Sequence, residues 1–243
     1  MVLDGVAPPQ LALPSNFAKD GQDALEALFH DCSADPGCAG AFPNLQGSYA
    51  SARQRADAVA GPLTYVHPRT RRRLEVPMSA QTLARLIRGA LYSPDLTTLL
   101  PLAISRAAEG DFDTALGLAV ALGDAPEPGI DAGLHLSVLC AEDIPRLEGG
   151  AWMDEGLGAG LAAEYREACA RWPVRPAAPE AAAPVQTDAP VLLLSGALDP
   201  VTPARQAALA AETLPRSASI TVPGAAHGTL LSLIHISEPT RPY

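Results

Sequence analysis

Asp199 and His227 have the residue types and the spacing for acid–base chemistry. An imidazole titrates near neutrality and can take and return a proton, and a carboxylate can hold it in one tautomer. Asp199 follows the apolar run Val191–Ser195, within the turn Gly196-Ala197-Leu198-Asp199-Pro200-Val201-Thr202-Pro203. His227 comes 28 residues later, after a second apolar run, Ser219–Val222, and the turn Pro223-Gly224-Ala225-Ala226. Between the runs, Pro203–Leu214 has apolar residues at helical spacing. Strand, helix, strand over this length is a βαβ unit, which predicts two neighbouring parallel strands. Functional groups in an open α/β sheet gather just past the C-terminal ends of such strands. Asp199 alone would suit capping of the next helix, an ordinary task for Asp. With His227 in the matching position one crossover later, the pairing favours a carboxylate that orients a general base.

The elements that position this pair are unevenly distributed. Val191–Ser195 is continuously apolar, as expected of a strand covered on both faces. Met1–Val6 is a third short strand-like run, broken at Ala7-Pro8-Pro9. The residues between read mainly as helix: 15–31, with Phe17, Ala24, Leu25, Leu28 and Phe29 on one side and Ser15 or Asn16 as N-cap, then 47–60, 79–92, 97–109 and 111–122. Gly61–Pro77 alternates around an Arg-rich turn and predicts a hairpin, with Arg71-Arg72-Arg73 solvated at its tip. Residues 174–190, rich in Ala and Pro, read as a linker back to the sheet. The expected fold is therefore α/β, a partial sheet of C-terminal strands with a large, mainly helical lid or cap insertion.

Composition narrows the function. A net charge of −10 lacks the basic face that nucleic acid needs. The longest apolar run is about six residues, far below the ~20 of a membrane-spanning helix. Cys32, Cys38, Cys140 and Cys169 form no CxxC pair, which argues against a zinc site, and the expectation is neither a metal nor a cofactor. Cys32 and Cys38 flank Ser-Ala-Asp-Pro-Gly, a stretch that can turn back on itself; disulfides and buried thiols are both compatible with the count.

SGALDPVTP followed by VPGAAHG resembles the acid and base loops of α/β-hydrolases, within them the proline-iminopeptidase and tripeptidyl-aminopeptidase-like group. VLDGVAPP, DCSADPGCAGAFP, LYSP and VLCAEDIPR resemble segments of the same group, so the likeness runs through nearly all of residues 1–230. It implies a serine hydrolase acting on a peptide or small acyl substrate, with Asp199 as catalytic acid, His227 as base and a helical lid over the site. An aminopeptidase must also hold a free ammonium, for which Glu142, and after it Asp143, are the candidates. Trp152 and Trp172 suit an apolar pocket or, more simply, core packing. If disulfides form, the favoured pairings are Cys32–Cys38, which is local, and Cys140–Cys169, which would tie the Cys-Ala-Glu-Asp segment to the helix before the return strand. The resemblance, with the four cysteines, implies an extracytoplasmic location.

The departure from the group is its nucleophile. No serine lies in a G-x-S-x-G elbow, and Gly47-Ser48-Tyr49, the nearest imitation, falls in the helical part. The expectation is a C-terminal part of such an enzyme, inactive alone, whose elbow lies upstream of Met1. The last residues, LSLIHISEPTRPY, contain no alanine and resemble a translated sequencing adapter, so 231–243 is set aside as a non-native tail and His235 receives no role. The expected division is 1–8 and 190–230 in the hydrolase core and 9–189 in the cap and return linker. An esterase of the same fold and a non-catalytic binding protein on it are the alternatives.

Overall fold

A computed structural model describes residues 1–123, 131–147, 156–158 and 160–229. The chain divides into two compact units, one of residues 1–22 and 130–243, the other of residues 23–129.

The first unit contains a three-stranded, all-parallel sheet in the order β1 (Val2–Asp4), β4 (Val191–Gly196), β5 (Ser217–Val222). Leu3 faces Leu193 and Leu194 faces Ile220 in the register. The central strand reads Val-Leu-Leu-Leu because it has a neighbour on each side and packing on each face; Leu193 is fully buried. Helix α10 (Ala204–Ala211) makes the crossover from β4 to β5. Val191, Leu193, Ala207 and Leu214 form the local core, with Leu3, Val6 and Ala211 packed against it. The βαβ reading is thus what the chain forms. β5 starts two residues before the expected run, and β1 is shorter than Met1–Val6.

Ahead of the return to the sheet lies a small helical group: α8 (Ala132–Val138), a π-helical turn Leu139–Asp143, a 3-10 turn Ile144–Arg146 and α9 (Leu161–Cys169). Several links hold it. Cys140 and Cys169 are disulfide-bonded, with Cα atoms 5.2 Å apart. Arg166 donates to the Leu147 carbonyl at 2.8 Å, and the Trp172 indole N–H donates to Ser137 at 3.1 Å. Trp152 lies outside the described residues, as does the 231–243 tail. The stretch 174–190 is irregular apart from one 3-10 turn, Pro179–Ala182, as its Ala-Pro composition implies.

Helix α1 (Phe17–Ala34) begins in the first unit and ends in the second. Asn16 does not cap it as an acceptor. Its amide donates to Asp20 at 2.6 Å and to the Val201 carbonyl at 2.8 Å. The second unit is helical around one hairpin: α2 (Pro36–Ala41), α3 (Leu45–Asp57), β2 (Pro62–Val66), β3 (Arg73–Pro77), α4 (Ala80–Ala90), α5 (Pro94–Thr97), α6 (Leu100–Glu109) and α7 (Asp113–Gly123). Helix α3 packs on α6, and each buries an i, i+4 alanine pair, Ala52 with Ala56 and Ala103 with Ala107. Small side chains on one face allow close approach of two helix axes. Helix α4 starts at an N-cap, where Ser79 accepts from the Thr82 N–H at 3.0 Å, and buries Leu83, Ile87 and Ala90 on one face. The hairpin sets Leu63 opposite Val76 and Tyr65 opposite Leu74, with Arg71 in the left-handed region at its tip. Cys32 and Cys38 are bonded across the start of α2, Cα atoms 5.0 Å apart. Among the described residues no helix is long and apolar enough to cross a membrane.

Candidate functional site

Strand β4 runs out at Gly196, and the next residues turn across the top of β5. The Ala197 N–H donates to the Val222 carbonyl at 3.0 Å and the Leu198 N–H to the Ala225 carbonyl at 2.9 Å. These bonds lay the loop after β4 against the loop after β5. They also explain Gly196. A Cβ there would lie 2.5 Å from the Ala225 carbonyl oxygen and closer still to that of Ala226, so only a residue without a side chain permits this approach.

Asp199 sits in the first loop with its carboxylate wholly buried. One oxygen, Oδ1, closes its own turn by accepting from the N–H groups of Val201 at 2.8 Å and Thr202 at 2.9 Å. The other, Oδ2, accepts from the Thr202 hydroxyl at 2.8 Å and faces Nδ1 of His227 at 3.0 Å. One oxygen thus closes the local turn and the other faces the imidazole, and neither caps the following helix. Helix α10 itself has no side-chain cap, since Pro203 occupies that position.

Burial by itself would raise the Asp199 carboxyl. The hydrogen bond and charge of His227, with the backbone N–H groups of Thr202 and Val201, outweigh it and hold the group below the usual carboxylate range. Asp199 is therefore an anion, an acceptor only, and the proton between it and His227 belongs on Nδ1. When the ring is neutral, that tautomer leaves the lone pair on Nε2. The His227 side chain is 37% exposed while that of Asp199 is 0% exposed, so the carboxylate is sealed and the imidazole edge reaches out of the protein.

Two further residues complete the site, and neither stood out in the sequence as chemistry. Thr202 places its hydroxyl 3.2 Å from Nδ1 of His227 as well as on Asp199. Its signal was there to read: Asp followed three residues later by Thr is the spacing of a side chain closing a turn on itself. Gly5, just past β1, is at φ +62°, and a Cβ on it would lie 3.0 Å from the Thr202 hydroxyl and 3.2 Å from Cε1 of His227. It lies close against the ring and is bonded through its N–H to the Leu194 carbonyl at 3.0 Å.

Glu142 and Asp143 lie on the π-helical turn Leu139–Asp143. Asp143 is buried and engaged: Arg146 contacts its Oδ1 at 3.1 Å and also donates to the carbonyls of Gln10 and Leu11. Burial raises the Asp143 carboxyl, against the lowering effects of the Leu13 N–H and of Arg146. Glu142 is exposed and edges a cavity of about 270 Å³ with Ala141, Pro145, Arg146 and Ala177. Among the described residues no group of three or more His, Cys, Asp or Glu is arranged to hold a metal ion.

A search of curated proteins finds no match. Residues 157–234, which hold β4, the Asp199 loop, α10, β5 and His227, match the family model of TAP-like proteins, and this supports a hydrolase of the α/β-hydrolase class.

Proposed function

We propose that this chain carries the acid and base of a serine exo-peptidase of the aminopeptidase kind. The observation that supports it is the Nδ1–Oδ2 contact of 3.0 Å between an exposed-edged imidazole and a sealed, ionised carboxylate. In this reading Nε2 of His227 takes the proton of a serine hydroxyl as it attacks the scissile carbonyl, then hands it to the leaving amine. Asp199 fixes the tautomer and stabilises the imidazolium. The serine belongs to a G-x-S-x-G elbow that this sequence does not contain, so turnover by the chain alone is not expected. Of the two candidates for the substrate's ammonium, Glu142 is the better placed, because Asp143 already serves Arg146 and the Leu13 N–H. The two disulfides fit the extracytoplasmic location that goes with this proposal.

A fluorophosphonate probe, which labels activated serines, tests the proposal. This chain should not be labelled; a longer gene product that includes a G-x-S-x-G segment should be. In that longer protein His227→Ala should lower kcat on the order of 10⁶-fold and Asp199→Ala on the order of 10⁴-fold. Stoichiometric labelling of the chain alone would overturn the assignment of the nucleophile. Hydrolysis of simple esters but not of amino-terminal peptide amides would turn the reading to an esterase.

A further inference from the structure

The imidazole at position 227 is held by more than its carboxylate partner, and the second anchor comes from the other side of the sheet. Asp4 is the last residue of β1, opposite Leu194 of β4 in the register. Its Oδ1 accepts two hydrogen bonds from a single residue, the Thr229 N–H at 3.0 Å and the Thr229 hydroxyl at 2.6 Å. Thr229 is 0% exposed, and between it and His227 lies only Gly228, at φ +85°. The backbone therefore folds back immediately after His227, and its return is fixed on Asp4. Before His227, the Ala225 carbonyl is fixed by the Leu198 N–H at 2.9 Å. One side of the base loop hangs from the chain beyond β4, the other from the end of β1.

We infer that Asp4 is a positioning residue for His227, acting through Thr229, and that it keeps Nδ1 turned to Asp199. This rests on the reading of His227 as the base. The choice of residue follows from the geometry. A carboxylate oxygen has lone pairs for both donors of one threonine, and hydrogen bonds to an ionised acceptor are stronger than neutral ones. Thr229 is itself buried and Asp4 partly so, which limits the competition of water for the two donors. Gly5, the next residue, lies against the ring, so a single segment, Asp4-Gly5, both anchors the loop and clears space for the imidazole.

The experiment reads the tautomer of His227 directly, by the ring nitrogen shifts of the ¹⁵N-labelled chain, with no dependence on turnover. The parent chain should show the Nδ1–H form as its majority species. Thr229→Val, which removes the hydroxyl donor and keeps the N–H, should lower the ratio of Nδ1–H to Nε2–H roughly tenfold, the effect of losing about one hydrogen bond's worth of restraint, and Asp4→Ala, which removes both bonds, should lower it at least as far. Thr229→Ser, which keeps both donors, should hold the parent ratio. Should Asp4→Ala fail to fold, the near-isosteric Thr229→Val decides the matter, with the amide spectrum reporting the fold. A parent ratio retained in Thr229→Val overturns the role of Asp4 and leaves the Asp199–His227 pair standing. A parent that lacks the Nδ1–H form overturns the pair itself, and this inference with it.

Discussion

His227 meets Asp199 because segments distant in sequence converge on one ring: the turn after β4, the turn after β5 and Gly5 after β1. Titration should expose the first of these. Asp199 has a folded pKa below its unfolded one, so the stability it contributes is complete above the ordinary carboxylate value of ~3.9 and is withdrawn as pH falls through the lower folded value. Urea unfolding across pH 7 to 2 should show an acid limb that Asp199→Asn flattens; an unchanged limb would count against the ionised, paired carboxylate. Gly5→Ala probes the third segment. A side chain at φ +62° costs ~1–2 kcal/mol in backbone strain alone, and its Cβ would press on the Thr202 hydroxyl and the His227 ring. Loss of at least that much stability, together with a shifted His227 ring resonance, is the expected outcome. Loss of stability with an untouched ring would make Gly5 merely a turn. At this scale the sequence made Asp199 and His227 legible, since each follows an apolar run and a turn. The Asp-x-x-Thr spacing made Thr202 legible as a turn residue but not as a neighbour of His227, and Gly5 had no signal at all, because both roles depend on which loops touch.

At the scale of elements, the legible parts were those with a strong period or a strong break. The continuous apolar run of β4 and the helical spacing of α10 predicted the βαβ unit, and the alternation Leu63–Val66 against Leu74–Val76 predicted the hairpin. The segment from α8 to α9 was far less so. Its π-helical turn has no periodicity of its own, and its geometry is stabilised by contacts remote in sequence: the Cys140–Cys169 bond, Trp172 on Ser137, and the Ala177 N–H on the Ala141 carbonyl at 2.7 Å. π-helical turns recur at functional sites, which makes this one the natural place to test the substrate reading of Glu142. The two disulfides should differ in what they contribute. They span 6 and 29 residues, and by loop-closure entropy the shorter gives ~2 kcal/mol and the longer ~3–4 kcal/mol. Thermal or urea unfolding of Cys32→Ser/Cys38→Ser and Cys140→Ser/Cys169→Ser, each as a pair, measures this. The longer bond should prove the more costly loss; the reverse order would mean that native-state contacts, not chain entropy, set its worth.

For the whole molecule the question is what becomes of the sheet's two outer strands. Among the described residues β1 and β5 each have one neighbouring strand, so each leaves a row of backbone donors and acceptors on its outer side. Each also exposes an apolar side chain to water: Val2 is 50% exposed and Ile220 51%. Such edges pair with other chains unless something blunts them, and β5 has neither a proline nor a charge between Ser217 and Val222 to do so. The net charge of −10 opposes association. Its reach, though, is set by the Debye length, ~10 Å at 0.1 M salt, whereas strand pairing acts at ~4.8 Å and is indifferent to salt. The balance should therefore tip with ionic strength. Light scattering should find an average mass that rises with protein concentration and rises further between low salt and 0.5 M salt. Ile220→Lys, which puts a charge on the exposed edge without touching the core, should suppress the rise. A single monomeric mass across both series in the parent chain would show that the edges are covered, and an association that survives Ile220→Lys unchanged would place it elsewhere than on β5.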